Sequence, residues 1–241
     1  MAKGIFVIGT DTDVGKTVVT GGLVYLLRSK GYNTCYFKPV LSGAINEDGC
    51  LIPGDTRFVK AVSGLEEDYQ NITPYIFKTP VSPLLASKME DKPIDVGVIR
   101  EKFQYLKSKY DYIVAEGSGG LIVPLTDDGY MLYDLVRELD MHSIVVTRAG
   151  LGTINHTVLT VRYAQSVGIR VKGIIMNGYT GCSLCEDDNI EVIEKLTEIP
   201  VIGVIHRMDG IDVEKLEMGD LKEEFEKRIN VKKLIELMNQ L

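Results

Sequence analysis

The sequence predicts an α/β fold, a mostly parallel sheet with helices on both faces. Three observations carry this. Apolar segments of strand length recur along the chain, stretches of helical period separate them, and glycines and polar turn residues mark the joins. Strands covered on both faces read as continuous apolar runs, and parallel neighbours need a helical crossover between them.

The elements follow in order. Lys3–Gly9 is short, apolar and bounded by glycines, and reads as a buried strand. Residues 17–30 have helical periodicity and stop at Gly31, a natural residue just past a helix end. Residues 33–40 read as a second strand, 42–53 as a loop rich in turn residues, and 55–63 as a helix with Asp55 as a possible N-cap. Val96–Lys109 is a clearer amphipathic helix, followed by an apolar strand over 112–115. The alternation continues with helix over 130–139, strand over 143–147, helix over 156–167 and strand over 171–176. Helix over 190–198 and strand over 201–205 complete it. Residues 221–241 place Leu221, Phe225, Ile229, Leu234 and Met238 at roughly helical spacing, predicting a terminal helix docked on the sheet. With no internal repeat and no low-complexity linker, residues 1–241 are expected to form a single domain.

Charge narrows the function classes. Lys and Arg number 27 against 34 Asp and Glu, a net charge of −7 that gives no general affinity for nucleic-acid backbones. No run of about 18 apolar residues is present, so no membrane span is expected. Lys3 precedes only a few apolar or small residues before Thr10 and Asp11, which is not a secretory leader. A cytoplasmic, reducing location is therefore expected, with Cys35, Cys50, Cys182 and Cys185 as thiols rather than bridges.

The strongest motif is Gly9-Thr10-Asp11-Thr12-Asp13-Val14-Gly15-Lys16-Thr17, between the first strand and the first helix. Backbone N–H groups of such a loop and of the helix start point at phosphate oxygens. Gly15 permits close backbone approach, Lys16 neutralises β- and γ-phosphates, and the Thr17 hydroxyl reaches a Mg²⁺ ion. The first glycine stands at Gly9, one residue earlier than in the general pattern. The motif makes the fold P-loop NTPase-like.

Competing motifs fail. Gly117-Ser118-Gly119 has Glu116 where a nucleophile elbow needs glycine, and Gly150-Leu151-Gly152 has Asn155 where a dinucleotide fingerprint needs its third glycine. His142, His156 and His206 form no zinc spacing. Cys182 and Cys185, an isolated C-x-x-C, are expected in a surface loop. A nucleotide loop needs further metal ligands. Glu116 ends an apolar strand on the phosphate-loop edge of a parallel sheet, and Asp55 follows the second strand. Lys38, near the end of that strand, offers charge stabilisation beside a transferring phosphoryl group.

Assembled, these residues resemble the dethiobiotin synthetase family. Gly9–Thr17 is similar to that family's Gly-Thr-Asp-Thr-x-Val-Gly-Lys-Thr loop, including the displaced glycine. Lys38-Pro39-Val40-Leu41-Ser42-Gly43 matches its Lys-Pro-Val-x-Ser-Gly segment. Glu116-Gly117-Ser118-Gly119-Gly120 matches Glu-Gly-Ala-Gly-Gly, with Ser118 for the usual alanine, and Pro74-Tyr75 and Ser82-Pro83 also resemble family segments. The resemblance extends to about Ile205. Departures are Val204 and His206 in place of a Glu-x-Pro pattern, and Leu84 where relatives often carry histidine.

The resemblance implies an ATP- and Mg²⁺-dependent ligase that makes dethiobiotin from 7,8-diaminopelargonic acid (7,8-diaminononanoate) and CO₂. It implies Lys16 and Lys38 as catalytic cations and Thr17, Asp55 and Glu116 as Mg²⁺ ligands. Thr12, Asp13, Val14, Gly15, Val18, Gly117, Ser118 and Gly119 would surround the nucleotide, and Asn177 with Gly178 would meet its base. Ser42, Thr12, Ser82 and Pro83 would bind diamine or carbamate. Residues 150–156, with Gly152 and Asn155, resemble a stretch at the interface of a homodimer that contributes to the partner's substrate site. Two other classes share such loops. Partitioning and positioning ATPases carry a lysine where Asp11 stands here, and amidoligases of cobyrinic-acid type carry an additional glutamine-hydrolysing domain.

Overall fold

The computed structural model describes residues 1–182 and 184–241. The chain begins with β1 (Lys3–Gly9), α1 (Lys16–Ser29), β2 (Thr34–Phe37) and β3 (Val40–Ser42). The short strands β4 (Ile45–Glu47) and β5 (Cys50–Ile52) lead into α2 (Gly54–Ser63) and α3 (Tyr69–Ile72). Next come β6 (Tyr75–Phe77), α4 (Pro83–Met89), α5 (Val96–Lys109), β7 (Tyr112–Glu116) and α6 (Leu132–Glu138). Then follow β8 (His142–Arg148), α7 (Thr153–Ser166), β9 (Val171–Tyr179), α8 (Leu184–Thr197) and β10 (Val201–His206). The chain closes with β11 (Ile211–Asp212), β12 (Glu217–Met218), α9 (Leu221–Arg228), α10 (Val231–Leu237) and β13 (Asn239–Gln240).

The main sheet runs β10-β9-β8-β1-β7-β2, with each neighbouring pair parallel. β1 is interior, between β7 (Gly4 opposite Ile113) and β8 (Ile5 opposite His142). Its residues Ile5, Phe6, Val7 and Ile8 are fully buried, as continuous apolar strands between helical layers must be. α1 packs on α2 and α9, and α7 on α8. Phe225 of α9 lies flat against Gly22 of α1, where even a Cβ would come within 2.5 Å of the ring. This close approach is the reason a small residue stands there.

Parallel order places the C-terminal ends of β1 and β7 side by side, so the phosphate loop and Glu116 share one edge. Gly31, just past the C-cap of α1, adopts a left-handed φ of 84°.

Five expectations need correction. The single strand over 33–40 is two strands broken at Lys38 and Pro39. Proline offers no N–H to a ladder, so β2 stays on β7 while β3 leaves to pair with β6. The loop over 42–53 contains the antiparallel hairpin β4–β5, because Asp48 and Gly49 take φ of 51° and 84°, the left-handed pair that a two-residue hairpin turn demands. Asp55 is not the N-cap of α2. Pro53 holds that position, and Asp55 turns to Lys38 instead. The helix over 221–241 is two helices and a strand. Ile229 is extended, Asn230 starts α10 by accepting a hydrogen bond from the Lys233 amide, and β13 pairs antiparallel with the first residues of β1. Leu221, Phe225, Ile229, Leu234 and Met238 are nevertheless all buried. α8 also begins at Leu184, so Cys185 belongs to its first turn while Cys182 stays exposed before it.

Candidate functional site

The site grows from the turn after β1. Gly15 takes φ 90° as the N-cap of α1, and no side chain caps the helix, so its first amides are left for a ligand. Asn177, at the end of β9, braces the loop by donating to the Val14 carbonyl at 3.0 Å. Lys16 folds back over the loop, and its ammonium donates to the Asp11 carbonyl at 2.9 Å. A Cβ at Gly9 would lie 2.9 Å from the Lys16 Nζ, so the displaced glycine makes room for the lysine. Burial, and then the charge of Lys38, lower the Lys16 pKa to about 8.

Beside the loop lies a charged cluster. The Lys38 ammonium sits 2.6 Å from Asp55 Oδ2 and 2.7 Å from Glu116 Oε1, and also reaches the Gly117 carbonyl at 3.3 Å. Burial alone would depress the Lys38 pKa. The two carboxylates outweigh it and hold the lysine charged, above its ordinary value. The same contact outweighs burial at Asp55 and lowers its pKa. Glu116 is fully buried and accepts two hydrogen bonds besides that of Lys38. Thr17 Oγ1 donates to Oε1 at 2.9 Å and Tyr36 Oη donates to Oε2 at 2.8 Å.

These groups open into one cleft of about 520 Å³. Thr12, Asp13, Gly15, Lys16, Thr17, Val18, Lys38, Ser42, Asp55, Glu116, Ser118 and Gly119 line it, so most residues singled out in the sequence converge. Val14 is buried beneath the loop, and Gly117 contributes its carbonyl. Ser82, Pro83, Asn177 and Gly178 do not line this cleft. Gly152 borders a separate hollow of about 60 Å³ on the far side of the phosphate loop, and Asn155 is exposed on the first turn of α7.

The structure adds residues that motif reading misses. Leu41, Ile211, Val213 and Glu214 also line the cleft. The last three lie in and after β11, a two-residue strand too short for any periodicity to reveal. Tyr36 reads in sequence as one more apolar strand residue, and only the pairing of β2 with β7 brings its hydroxyl to Glu116.

The donor set suits a hard divalent cation. Thr17, Asp55 and Glu116 supply only oxygen, and Lys38 already marks a place where positive charge is stabilised. Among the described residues no group of three or more His, Cys, Asp or Glu is placed to hold a metal. Mg²⁺ is commonly held by one or two carboxylates, with waters and substrate phosphates completing its shell.

Comparison with known proteins places this geometry. Residues 3–215 match a sequence family described as an AAA domain. ATP-dependent dethiobiotin synthetase BioD of Clostridium kluyveri is 50% identical over 244 aligned positions, covering the whole of both chains. That of Clostridium acetobutylicum is 54% identical over 206 positions, covering 84% of this chain and 85% of its own. Among solved structures, the MinC:MinD cell division protein complex of Aquifex aeolicus superposes with a TM-score of 0.63 at 14% identity, covering 100% of this chain and 97% of that one. A ParA family ATPase from Chlorobium tepidum gives 0.57 at 14% identity, covering 93% and 96%. Similarity at that level shows a shared fold, whereas the full-length match at half identity shows more: the chain belongs to the ATP-dependent dethiobiotin synthetases.

Proposed function

We propose that this chain is an ATP-dependent cyclo-ligase that converts 7,8-diaminopelargonic acid and CO₂ to dethiobiotin, with ADP and phosphate as by-products. The observation that carries the reading is the convergence of Lys16 and Lys38 with Asp55 and Glu116 at the end of a phosphate loop. In the reaction, one amine takes up CO₂ to form a carbamate, whose oxygen attacks the γ-phosphate. The second amine then attacks the carbonyl of the mixed carbamic–phosphoric anhydride, closes the cyclic urea and expels phosphate. No covalent enzyme intermediate is required, so the protein's work is positioning and electrostatics.

The residues divide that work. The first amides of α1 and Thr12 orient the phosphates, and Lys16 offsets their charge. Lys38 exchanges its carboxylate partners for the carbamate and the γ-phosphoryl group. Two anions brought within a few ångströms repel by several kcal/mol at an effective dielectric near 20, about the scale one well-placed cation offsets. Thr17, Asp55 and Glu116 hold Mg²⁺, which when bound neutralises developing charge on the phosphate oxygens. Ser42, which lines the cleft, takes the diamine end. Ser82 and Pro83 bind the diamine or carbamate, and Gly152 and Asn155 join the partner's substrate site across a homodimer, a reading supported by the exposed apolar side chains Leu151 and Leu159 beside them. No helix among the described residues is long and apolar enough to cross a membrane, and a cytoplasmic setting fits the reading.

The test is mass detection of the cyclic urea from diamine, bicarbonate and MgATP, alongside phosphate release with and without diamine. Urea formation with diamine-dependent phosphate release is expected. Phosphate release indifferent to the diamine, with no urea, would point instead to a switch ATPase, which Asp11 in place of that class's loop lysine already disfavours.

A further inference from the structure

Glu116 receives three side-chain hydrogen bonds, and they are not equivalent. Lys38 at 2.7 Å and Thr17 at 2.9 Å both go to Oε1, and both residues line the cleft. Tyr36 at 2.8 Å goes to Oε2, and Tyr36 is fully buried behind the cleft wall. A bound nucleotide and its metal compete for Lys38 and Thr17, since both face the phosphates. Nothing that enters the cleft competes for Tyr36.

The geometry of two neighbouring strands explains how Tyr36 reaches the acid. Tyr36 on β2 is in register with Val114 on β7, and Glu116, two residues on, shares the face of Val114. A long aromatic side chain laid along that face ends at the carboxylate, where a phenylalanine would fill the same space without a donor. Burial, then the charges of Glu116 and Asp55, raise the Tyr36 pKa well above its ordinary value, so the hydroxyl remains a donor.

Resting on the reading above, we infer that Tyr36 is a positioning residue for Glu116. It clamps Oε2 so that Oε1 stays turned into the cleft when Lys38 and Thr17 leave it, and thereby presents that oxygen to the divalent cation. Partners that orient a metal-binding carboxylate commonly change metal affinity by about 10–100-fold when removed.

The experiment uses the full chain with ADP and reads Mn²⁺ binding by the electron paramagnetic resonance of the free ion. Tyr36→Phe should weaken Mn²⁺ binding about tenfold or more. ADP binding without metal should stay within about twofold of wild type, since no phosphate contact is removed. Turnover of the variant should recover at high Mg²⁺, which a merely structural role would not allow. In a Glu116→Gln background, Tyr36→Phe should have little further effect on Mn²⁺ binding. Mn²⁺ affinity within about twofold of wild type would overturn the inference. So would an undiminished effect in the Glu116→Gln background, or a Tyr36→Phe chain that does not fold even with MgADP. A wild-type chain that binds no Mn²⁺ alongside ADP would sink the metal assignment itself, a different failure from an unchanged variant.

Discussion

Lys38 holds its ammonium 2.7 Å from Glu116, a carboxylate with no solvent exposure, and 2.6 Å from Asp55. The cation thus occupies the place between two acids that a metal ion would share. Lys38→Met should separate two effects. Without metal, the acids lose their counter-charge, and breaking such a buried pair costs on the order of 3 kcal/mol, so the melting temperature in EDTA falls by several degrees. Added Mg²⁺ should restore part of that loss. Turnover at saturating substrates should still fall by about 10²–10³, because a charge aimed at the reacting groups is gone. Melting curves with and without Mg²⁺, together with the turnover number, check this. A drop in turnover smaller than about fivefold would remove Lys38 from the catalytic list.

Lys16→Ala should abolish most turnover and leave the fold intact, since among the described residues its side chain bonds the Asp11 carbonyl of its own loop alone. In the wild type, nucleotide phosphates raise the Lys16 pKa from its unliganded value of about 8. The bound form then carries more protons than the free form above pH 8, so affinity falls as pH rises from 8 and binding takes up a proton. Calorimetry of ADP binding at pH 9 in two buffers of different ionisation enthalpy reads that uptake. Lys16→Ala should show none of it.

Gly15→Ala should impair the phosphate loop on two counts. The backbone there has φ 90°, and a Cβ would lie 2.1 Å from the Asn177 amide that braces Val14. Strain of this kind costs about 1–3 kcal/mol. Nucleotide affinity should fall more than about tenfold. Adding Asn177→Gly should relieve the contact but not the backbone, recovering affinity only in part. Full nucleotide affinity in Gly15→Ala would show that the loop tolerates a different conformation.

A second buried acid controls stability rather than chemistry. Glu67 accepts from Lys109 at 2.7 Å, Asn71 at 2.8 Å and Tyr110 at 2.9 Å, joining α5 to the segment before α3. Burial pushes its carboxyl up, but these bonds and that of the Asp68 amide outweigh it and hold the pKa down to about 2. A depressed carboxylate contributes stability that is complete above its unfolded pKa and is lost as pH falls through the folded one. Against an unfolded value of 4.5, and with the Lys109 side chain half exposed to screening solvent, the contribution is on the order of 1–2 kcal/mol. Glu67→Gln should therefore be destabilised at pH 7, and its gap to wild type should narrow steadily between pH 4.5 and 2. Denaturant unfolding across that range is the check, and a gap independent of pH would mean the charge is unimportant.

Much of the molecule was legible because its signals are local. β1 and α5 have the bounds that their apolar pattern predicts, since a buried parallel strand and an amphipathic helix each write their period into contiguous residues. The loop from Gly9 to Thr17 announces phosphate chemistry because it needs a lysine and glycines at fixed spacing, and Asp55, Lys38 and Glu116 stand at strand ends that parallel order brings to one edge. What tertiary structure alone decided is where long-range partners intervene. Pro39 ends β2, but that β3 then pairs with β6 depends on residues some 35 positions away. The terminal segment reads as one helix by spacing, yet Asn230 and the free first residues of β1 divide it into two helices and a strand. Tyr36 is an apolar strand residue by every local measure. It becomes part of the site only because β7 lies beside β2 and sets Glu116 within reach of its hydroxyl, a hydrogen bond across 80 residues that no sequence period encodes.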